Sequence, residues 1–364
     1  MPRKGLIIGL FVAFSILGAT GAELESQLKK HRAELASLGR EKASVVDILD
    51  GINREKSLIA DLIIDLEKRE TTITAELGVL ADSLQKANSR LDSAIVIQEK
   101  VVRAMFMNGR SEDAAFLLGG TNFNDFVRRM NLLQYLARER RFYSQEVDRN
   151  ARLVGRLVDS TEALLDSVKS VRTKRSAERD SLGKAEKRHK ETLAQITKDE
   201  GAYRAAIARM EESLAELARR LPEPAMKGDF ARKKGAIPWP SRSKRVIHSF
   251  GIVSEKRFGT TFKNSGIDIA TDPDEIVSAV ADGRVAQIYW LRAYGKIVIV
   301  EHGDGFFTVY GNLGEIDVTQ NQSLSAGQRI GRTAPDGWLE GAKLHFEIRH
   351  GRQEVNPLEW LVSA

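Results

Sequence analysis

Residues 294–313 read YGKIVIVEHGDGFFTVYGNL. Two runs of β-branched and aromatic residues, GKIVIVEHG and GFFTVYGNL, share a turn at Gly303-Asp304-Gly305. Apolar runs bounded by Gly, Asn and Asp read as antiparallel strands joined by a hairpin. The same grammar recurs in IVSAV at 276–280, GRVAQIYW at 283–290, RIGRT at 329–333 and KLHFEIRHG at 343–351. Short strands at regular spacing predict an all-β sandwich or open barrel from Ile237 onward.

The chain before that point obeys a different rule. None of its eight prolines lies between Arg3 and Leu221, and all four tryptophans fall after Leu221. Proline breaks helices and tryptophan needs a packed core, so the chain divides into a helical first half and a globular second half. In the first arm Leu24, Leu28, Leu35, Leu38, Val45, Leu49, Ile52, Leu62, Leu66, Ile73, Leu77, Leu80, Leu84 and Leu91 keep a helical stride. The second arm, from Leu132 to Leu221, repeats it through Leu136, Leu157, Leu164, Val168, Leu193, Tyr203, Ile207, Met210, Leu214 and Leu217. Alternating steps of three and four make an apolar seam that demands a partner helix. At about 1.5 Å per residue, each arm reaches on the order of 130 Å. Matched arms predict an antiparallel hairpin, with a parallel dimer of the same segments as the alternative. Between them Gly109, Gly119 and Gly120 permit breaks, and Phe106, Phe116, Phe123 and Phe126 read as a small helical lobe at the tip.

Arg3 and Lys4 precede an apolar run from Leu6 to Leu17 and small residues up to Ala22. That pattern predicts an export signal cleaved after Ala22, and an uncleaved anchor is the alternative. There is no cysteine, so stability rests on packing without disulfides. The net charge of +6 comes from basic residues interleaved with acids, the pattern of solvated helix faces and not of a nucleic-acid-binding stripe. The expected organisation is α + β multidomain: signal peptide 1–22, coiled-coil hairpin 23–221 with a lobe at about 105–135, linker 222–236, and β domain 237–364.

The ordered blocks WP, GIDIA, ADGRV, YGKIVIVEHGDGF, TVYGNL, AGQRIG, LHFEIR and NPLEWL resemble the LytM (lysostaphin-type) metallopeptidase family across Ile237–Leu361. The preceding stretch VVRAMFMNGR…FLLGGTNFNDFVRRMNLLQYLARER is similar to the coiled-coil part of EnvC-type murein hydrolase activators. Active members of the peptidase family hold zinc with a His-x-x-x-Asp pair and the last His of a His-x-His pair. Two further histidines assist catalysis. Carried onto this chain, the ligand positions are Asn264, Asp268 and His345, and the assisting positions are Lys343 and Asn312.

A hydrolytic zinc needs three protein ligands and a bound water of lowered pKa. Asn264 offers a neutral oxygen, Lys343 has no lone pair when charged, and Asn312 cannot titrate near neutral pH. The resemblance therefore implies a degenerate site with no catalytic residue and no cofactor. Asp268 and His345 are expected to hydrogen-bond to each other, and His302 and His350 to be surface or turn residues.

The EnvC-type resemblance implies a non-catalytic activator of a zinc-dependent N-acetylmuramoyl-L-alanine amidase. The protein would be exported to the periplasm and held at the hairpin tip by an FtsE–FtsX-type division complex, with peptidoglycan as a further partner. Tyr294, Tyr310, Arg349 and Ser265 match the family's amidase-binding groove, and a segment near Leu221–Lys234 is a candidate to block it. Two alternatives stand beside this reading: a zinc endopeptidase with an atypical ligand set, and a peptidoglycan-binding scaffold.

Overall fold

The stretch 294–313 lies at the centre of the β domain. Strands β7 (Gly295–Gly303) and β8 (Phe306–Ile316) pair antiparallel, and between them Asp304 and Gly305 take positive φ of 50° and 82°. Two successive left-handed residues give the turn whose twist suits a hairpin, and Asp-Gly adopts it at low cost. The computed structural model describes residues 20–38, 44–108, 123–255 and 258–363.

Seven strands follow one another across the main sheet: β1 (Val246–His248), β4 (Ile267–Ala270), β11 (Lys343–His350), β8, β7, β6 (Gly283–Leu291) and β9 (Ser323–Leu324). Strand β10 (Arg329–Thr333) pairs with β8 and with β5 (Ile276–Ser278), and β12 (Gln353–Val355) pairs with β11. A separate hairpin joins β2 (Gly251–Glu255) to β3 (Thr260–Asn264).

Both faces of the central strands are buried. On one side Val298, Val300, Tyr310, Leu344, Phe346 and Ile348 enter a core closed by Phe230 and Trp360. On the other side Ile297, Ile299, Phe307 and Val309 pack beneath a helix. The continuous apolar lettering of IVIV and FFTVY follows from this, because a strand covered on both faces has no polar side to alternate with.

Among the described residues there are four α-helices: α1 (Gly21–Leu38), α2 (Val45–Asn108), α3 (Phe123–Ile196) and α4 (Glu200–Arg220). The second arm is thus not one rod to Leu221. It breaks at Thr197–Asp199, where the Asp199 carboxylate caps α4 by accepting from Ala202 N at 2.6 Å. The seam of α4, comprising Tyr203, Ile207, Met210, Leu214 and Leu217, joins the β-sheet face and Val46 and Leu49 of α2 in one buried cluster. Periodicity named the correct apolar stripe, but its main partner is a sheet.

By internal contacts the chain forms two units, one of Met1–Ile64 with Glu178–Ala364 and the other of Asp65–Ala177. In the first, α1 crosses α2 so closely that a Cβ on Gly51 would lie 2.5 Å from Leu35 Cδ1. There Glu55 of α2 meets Arg32 of α1 at 3.1 Å and Arg188 of α3 at 2.6 Å. In the second, Arg172 and Arg175 of α3 both reach Glu70 of α2 at 2.6 Å, and Arg175 approaches Glu67 at 3.9 Å. Partners that descend on one helix while ascending on the other establish antiparallel arms. Ile73, Leu77, Leu80, Leu84 and Leu91 of this second unit are only half-buried, as expected where one helix covers one side of a seam.

No helix among the described residues is long and apolar enough to cross a membrane. Most of the export signal expected at 1–22, and the tip glycines Gly109, Gly119 and Gly120 with Phe116, lie outside the described residues, as does the side chain of Phe106.

Candidate functional site

Directly opposed residues of antiparallel strands point to the same face. Register therefore places the polar residues. Glu347 opposes Val309 and Arg349 opposes Phe307, both of which face α4; His345 opposes Asp268, which in turn opposes His248 on β1. Alternation along β11 then lines Lys343, His345, Glu347 and Arg349 along the α4 side of the sheet. All four are buried, and so is Asp268.

Asp268 is the hub. Its Oδ1 lies 2.7 Å from His345 Nδ1, and its Oδ2 is 2.9 Å from His248 Nδ1 and 3.1 Å from Lys343 Nζ. His345 Nε2 continues to Glu347 Oε1 at 2.9 Å, and Arg349 Nε donates to Glu347 Oε2. Glu340 borders the cluster, 3.3 Å from Lys343 and 3.4 Å from His248.

Burial opposes every one of these charges, yet mutual pairing overcomes it. Desolvation pulls His345 down, but bonds to Asp268 and Glu347 push it up to about 9; His248, bonded to Asp268 and Glu340, likewise rises to about 9. Burial alone would raise Asp268, but the Lys343 charge and the two histidines hold it well below the usual carboxylate range. The same balance, led by Arg349, takes Glu347 down to about 2.

The residues present do not fit a zinc ion. Both nitrogens of His345 face carboxylates, which only accept, so the ring donates twice and keeps no lone pair for a metal. Asn264 is turned to backbone, with Nδ2 3.3 Å from Ser249 O and Oδ1 3.4 Å from Gly266 N. Among the described residues no three His, Asp, Glu or Cys side chains are arranged to hold a metal. Asn312 is separate from the cluster. It takes φ 60°, a conformation Asn tolerates, and lines a cavity of about 120 Å³ with Asn53, Lys56 and Trp338.

The four positions expected to meet a partner are all buried. Tyr294 lies on the α4 side, its ring 4.6 Å from that of His345. Tyr310 does not share that face: it opposes Phe346 in the other core, and its hydroxyl accepts from Val280 N and Thr308 Oγ1, each at 3.1 Å. Its role here is packing. Arg349 is held by Glu347 and by Arg352 O at 3.2 Å, and Ser265 sits in the buried turn before β4.

Helix α4 covers this face. Besides its apolar seam, Glu211 accepts from Lys263 N at 3.1 Å, and the Tyr203 ring lies 5.1 Å from that of Phe258. Of the segment at 221–234, expected as a blocker, Leu221 ends the α4 seam on this face, but the rest packs elsewhere: Phe230 stacks on Trp360 and His302 in the other core, and Glu301 accepts from Met226 N at 2.7 Å. His302 is correspondingly buried, 2.7 Å from both Asp282 O and Thr308 Oγ1, and is no surface residue, whereas His350 is exposed. His248 and Glu340 complete the cluster without any motif to announce them. Glu347 was legible by alternation from His345.

A two-faced antiparallel sheet bearing Asp268 and His345 on facing strands defines a peptidase-like β domain. Residues 262–357 match the model of peptidase family M23. The chain is 36% identical over 124 residues to the murein hydrolase activator NlpD of Escherichia coli, covering 34% of this chain and 30% of that protein. It is 34% identical over 134 residues to the murein hydrolase activator EnvC of E. coli, covering 37% and 31%. With the cell division protein DipM of Caulobacter vibrioides it shares 32% identity over 122 residues, covering 33% and 19%. The matched stretch thus spans less than a third of each of these relatives.

Proposed function

We propose that the chain is a non-catalytic activator of a cell-wall N-acetylmuramoyl-L-alanine amidase, exported to the periplasm and governed by helix α4. The observation that carries the reading is the burial of Tyr294 and the His345–Arg349 row beneath an amphipathic helix of the same chain. A face with a polar border and an apolar floor suits a docking helix, since area and complementarity can both be met there. Covered by α4, it is closed to any partner; released, it offers Tyr294, Phe262, Ile297 and Phe307 together.

The names of the relatives support activation of murein hydrolases in general. The amidase as target, an FtsE–FtsX-type complex as the agent that pulls on the hairpin, and peptidoglycan as a further contact are parts of the proposal. Degeneracy is also part of it: with both oxygens of Asp268 and both ring nitrogens of His345 already engaged, the pocket supplies no activated water, and control of a partner is the work left to this face.

The deciding experiment is an amidase assay on purified murein with the full chain and with an Ile207→Asp/Met210→Asp variant that unseats α4. Stimulation by the variant above the parent supports the reading. If neither protein stimulates any amidase tested, or if the parent alone cleaves murein peptides, the reading fails.

A further inference from the structure

Lys343 is a buried lysine in a strand, an expensive placement unless its charge is matched. Its Nζ lies 3.1 Å from Asp268 Oδ2 and 3.3 Å from Glu340 Oε2. It therefore sits beside Asp268, one of the two surviving positions of the ligand set that the family resemblance implies, and two residues from the other, His345. Neither retains a free donor atom. Asp268 Oδ1 is taken by His345, and Asp268 Oδ2 by both His248 and Lys343.

The carboxylates of this pocket already have partners without a metal. Asp268 and Glu340 each face Lys343 and His248, and Glu347 faces Arg349 and His345. A divalent ion entering here would have to displace the ammonium, break the contacts of Asp268 with His345 and His248, and leave an uncompensated positive charge. Each step costs free energy in a buried site.

We propose that the Lys343 ammonium is the resident cation of this pocket, holding Asp268 and its neighbours in place of a metal and excluding divalent ions even when the missing ligand is restored. Asn264 is then not the sole barrier to zinc. Restoring a histidine there completes the three-ligand set on paper while the lysine still blocks it. The inference is independent of the activator reading, because metal content and melting report on the pocket whatever the groove binds.

The test uses the full chain as parent, Asn264→His, Lys343→Leu and the double variant, each dialysed against zinc and assayed with a chromophoric chelator, with melting curves beside them. Leucine keeps an aliphatic stem and removes the charge. We expect Asn264→His to take up no more zinc than the parent, and the double variant to bind at least about tenfold tighter, the low end of what neighbouring residues exert on a metal site. Lys343→Leu alone should melt several degrees lower or fail to fold, through the unmatched carboxylates. Equal zinc uptake by Asn264→His and the double variant overturns the proposal, as does stoichiometric zinc in the parent. A folded double variant that binds none, or Lys343→Leu melting like the parent, also overturns it.

Discussion

Glu211 on α4 accepts a hydrogen bond from the backbone N–H of Lys263 on β3 at 3.1 Å, fastening the covering helix to the strand that ends at Asn264. The bond is exposed and modest, worth about 1 kcal/mol. The apolar seam beside it carries most of the attachment, since burying each large side chain contributes roughly 1.5–3 kcal/mol.

Loosening α4 in steps should therefore expose the groove in steps. Glu211→Ala should leave hydrogen exchange at Phe262, Ile297 and Ile299 within a few-fold of the parent. Ile207→Asp, which buries an unmatched carboxylate, should raise exchange there at least about tenfold, because an opening made easier by 1.4 kcal/mol is ten times more populated. Equal protection in the two variants would show that α4 does not guard this face.

The break that creates α4 explains what could be read in advance. The hairpin at 295–316 was legible because Asp304-Gly305 and the apolar runs are local signals. Antiparallel arms were legible because Glu67 and Glu70 find Arg175 and Arg172 along seams of helical stride. The fate of the final seam was not, because steps of three, four or seven run from Leu193 through Tyr203 to Leu217 whether the stripe meets a helix or a sheet. Asp199 before Glu200 was the available cue, an N-cap ahead of an acidic first turn. The role of His248 could not be read for another reason. Its tie to Asp268 arises from the pairing of β1 with β4, which no spacing rule encodes.

Arg349 changes meaning in the same way. As a partner contact its removal would weaken binding alone, but the side chain is buried against Glu347. Arg349→Ala should strand that carboxylate and cost about 3–5 kcal/mol of stability, the penalty for breaking a buried pair. Urea melts should show the loss, and Arg349→Ala/Glu347→Gln should recover part of it. Unchanged stability in the single variant would return Arg349 to a surface role.

A pH dependence is built into the seat of α2. Asp50 lies 3.8 Å from Arg209 of α4 and near Arg292 and Trp338; burial outweighs these partners and raises its carboxyl to about 6. A folded-state value above the ordinary 3.8 means the folded form holds its proton more tightly. Stability from this residue is thus greatest at acid pH and is lost as pH rises from about 4 through 6. Asp50→Asn should overtake the parent across that window, by on the order of 3 kcal/mol at pH 7. His189, which burial beside Lys56 lowers to about 4, is common to both proteins, so the difference isolates Asp50. A difference in melting temperature that stays flat between pH 4 and 7 would refute the assignment.

Two further ion pairs clamp α2 to the β domain near the cavity that Asn312 lines. Lys56 reaches Asp336 in the loop before β11, and Lys296 at the start of β7 reaches Asp61. The Arg54 guanidinium of the same helix lies 5.0 Å from the Trp290 ring. Each pair is only partly exposed, so its loss should exceed the 0–1 kcal/mol typical of surface pairs. If releasing α4 requires α2 to lift as well, Lys296→Ala/Asp336→Ala should raise basal amidase stimulation even with the α4 seam intact. The charge-reversed quadruple, Lys56→Glu, Asp336→Lys, Lys296→Glu and Asp61→Lys, should restore silence if attraction alone sets the clamp. Stimulation that responds to α4 substitutions and ignores both clamp sets would confine the control to the covering helix.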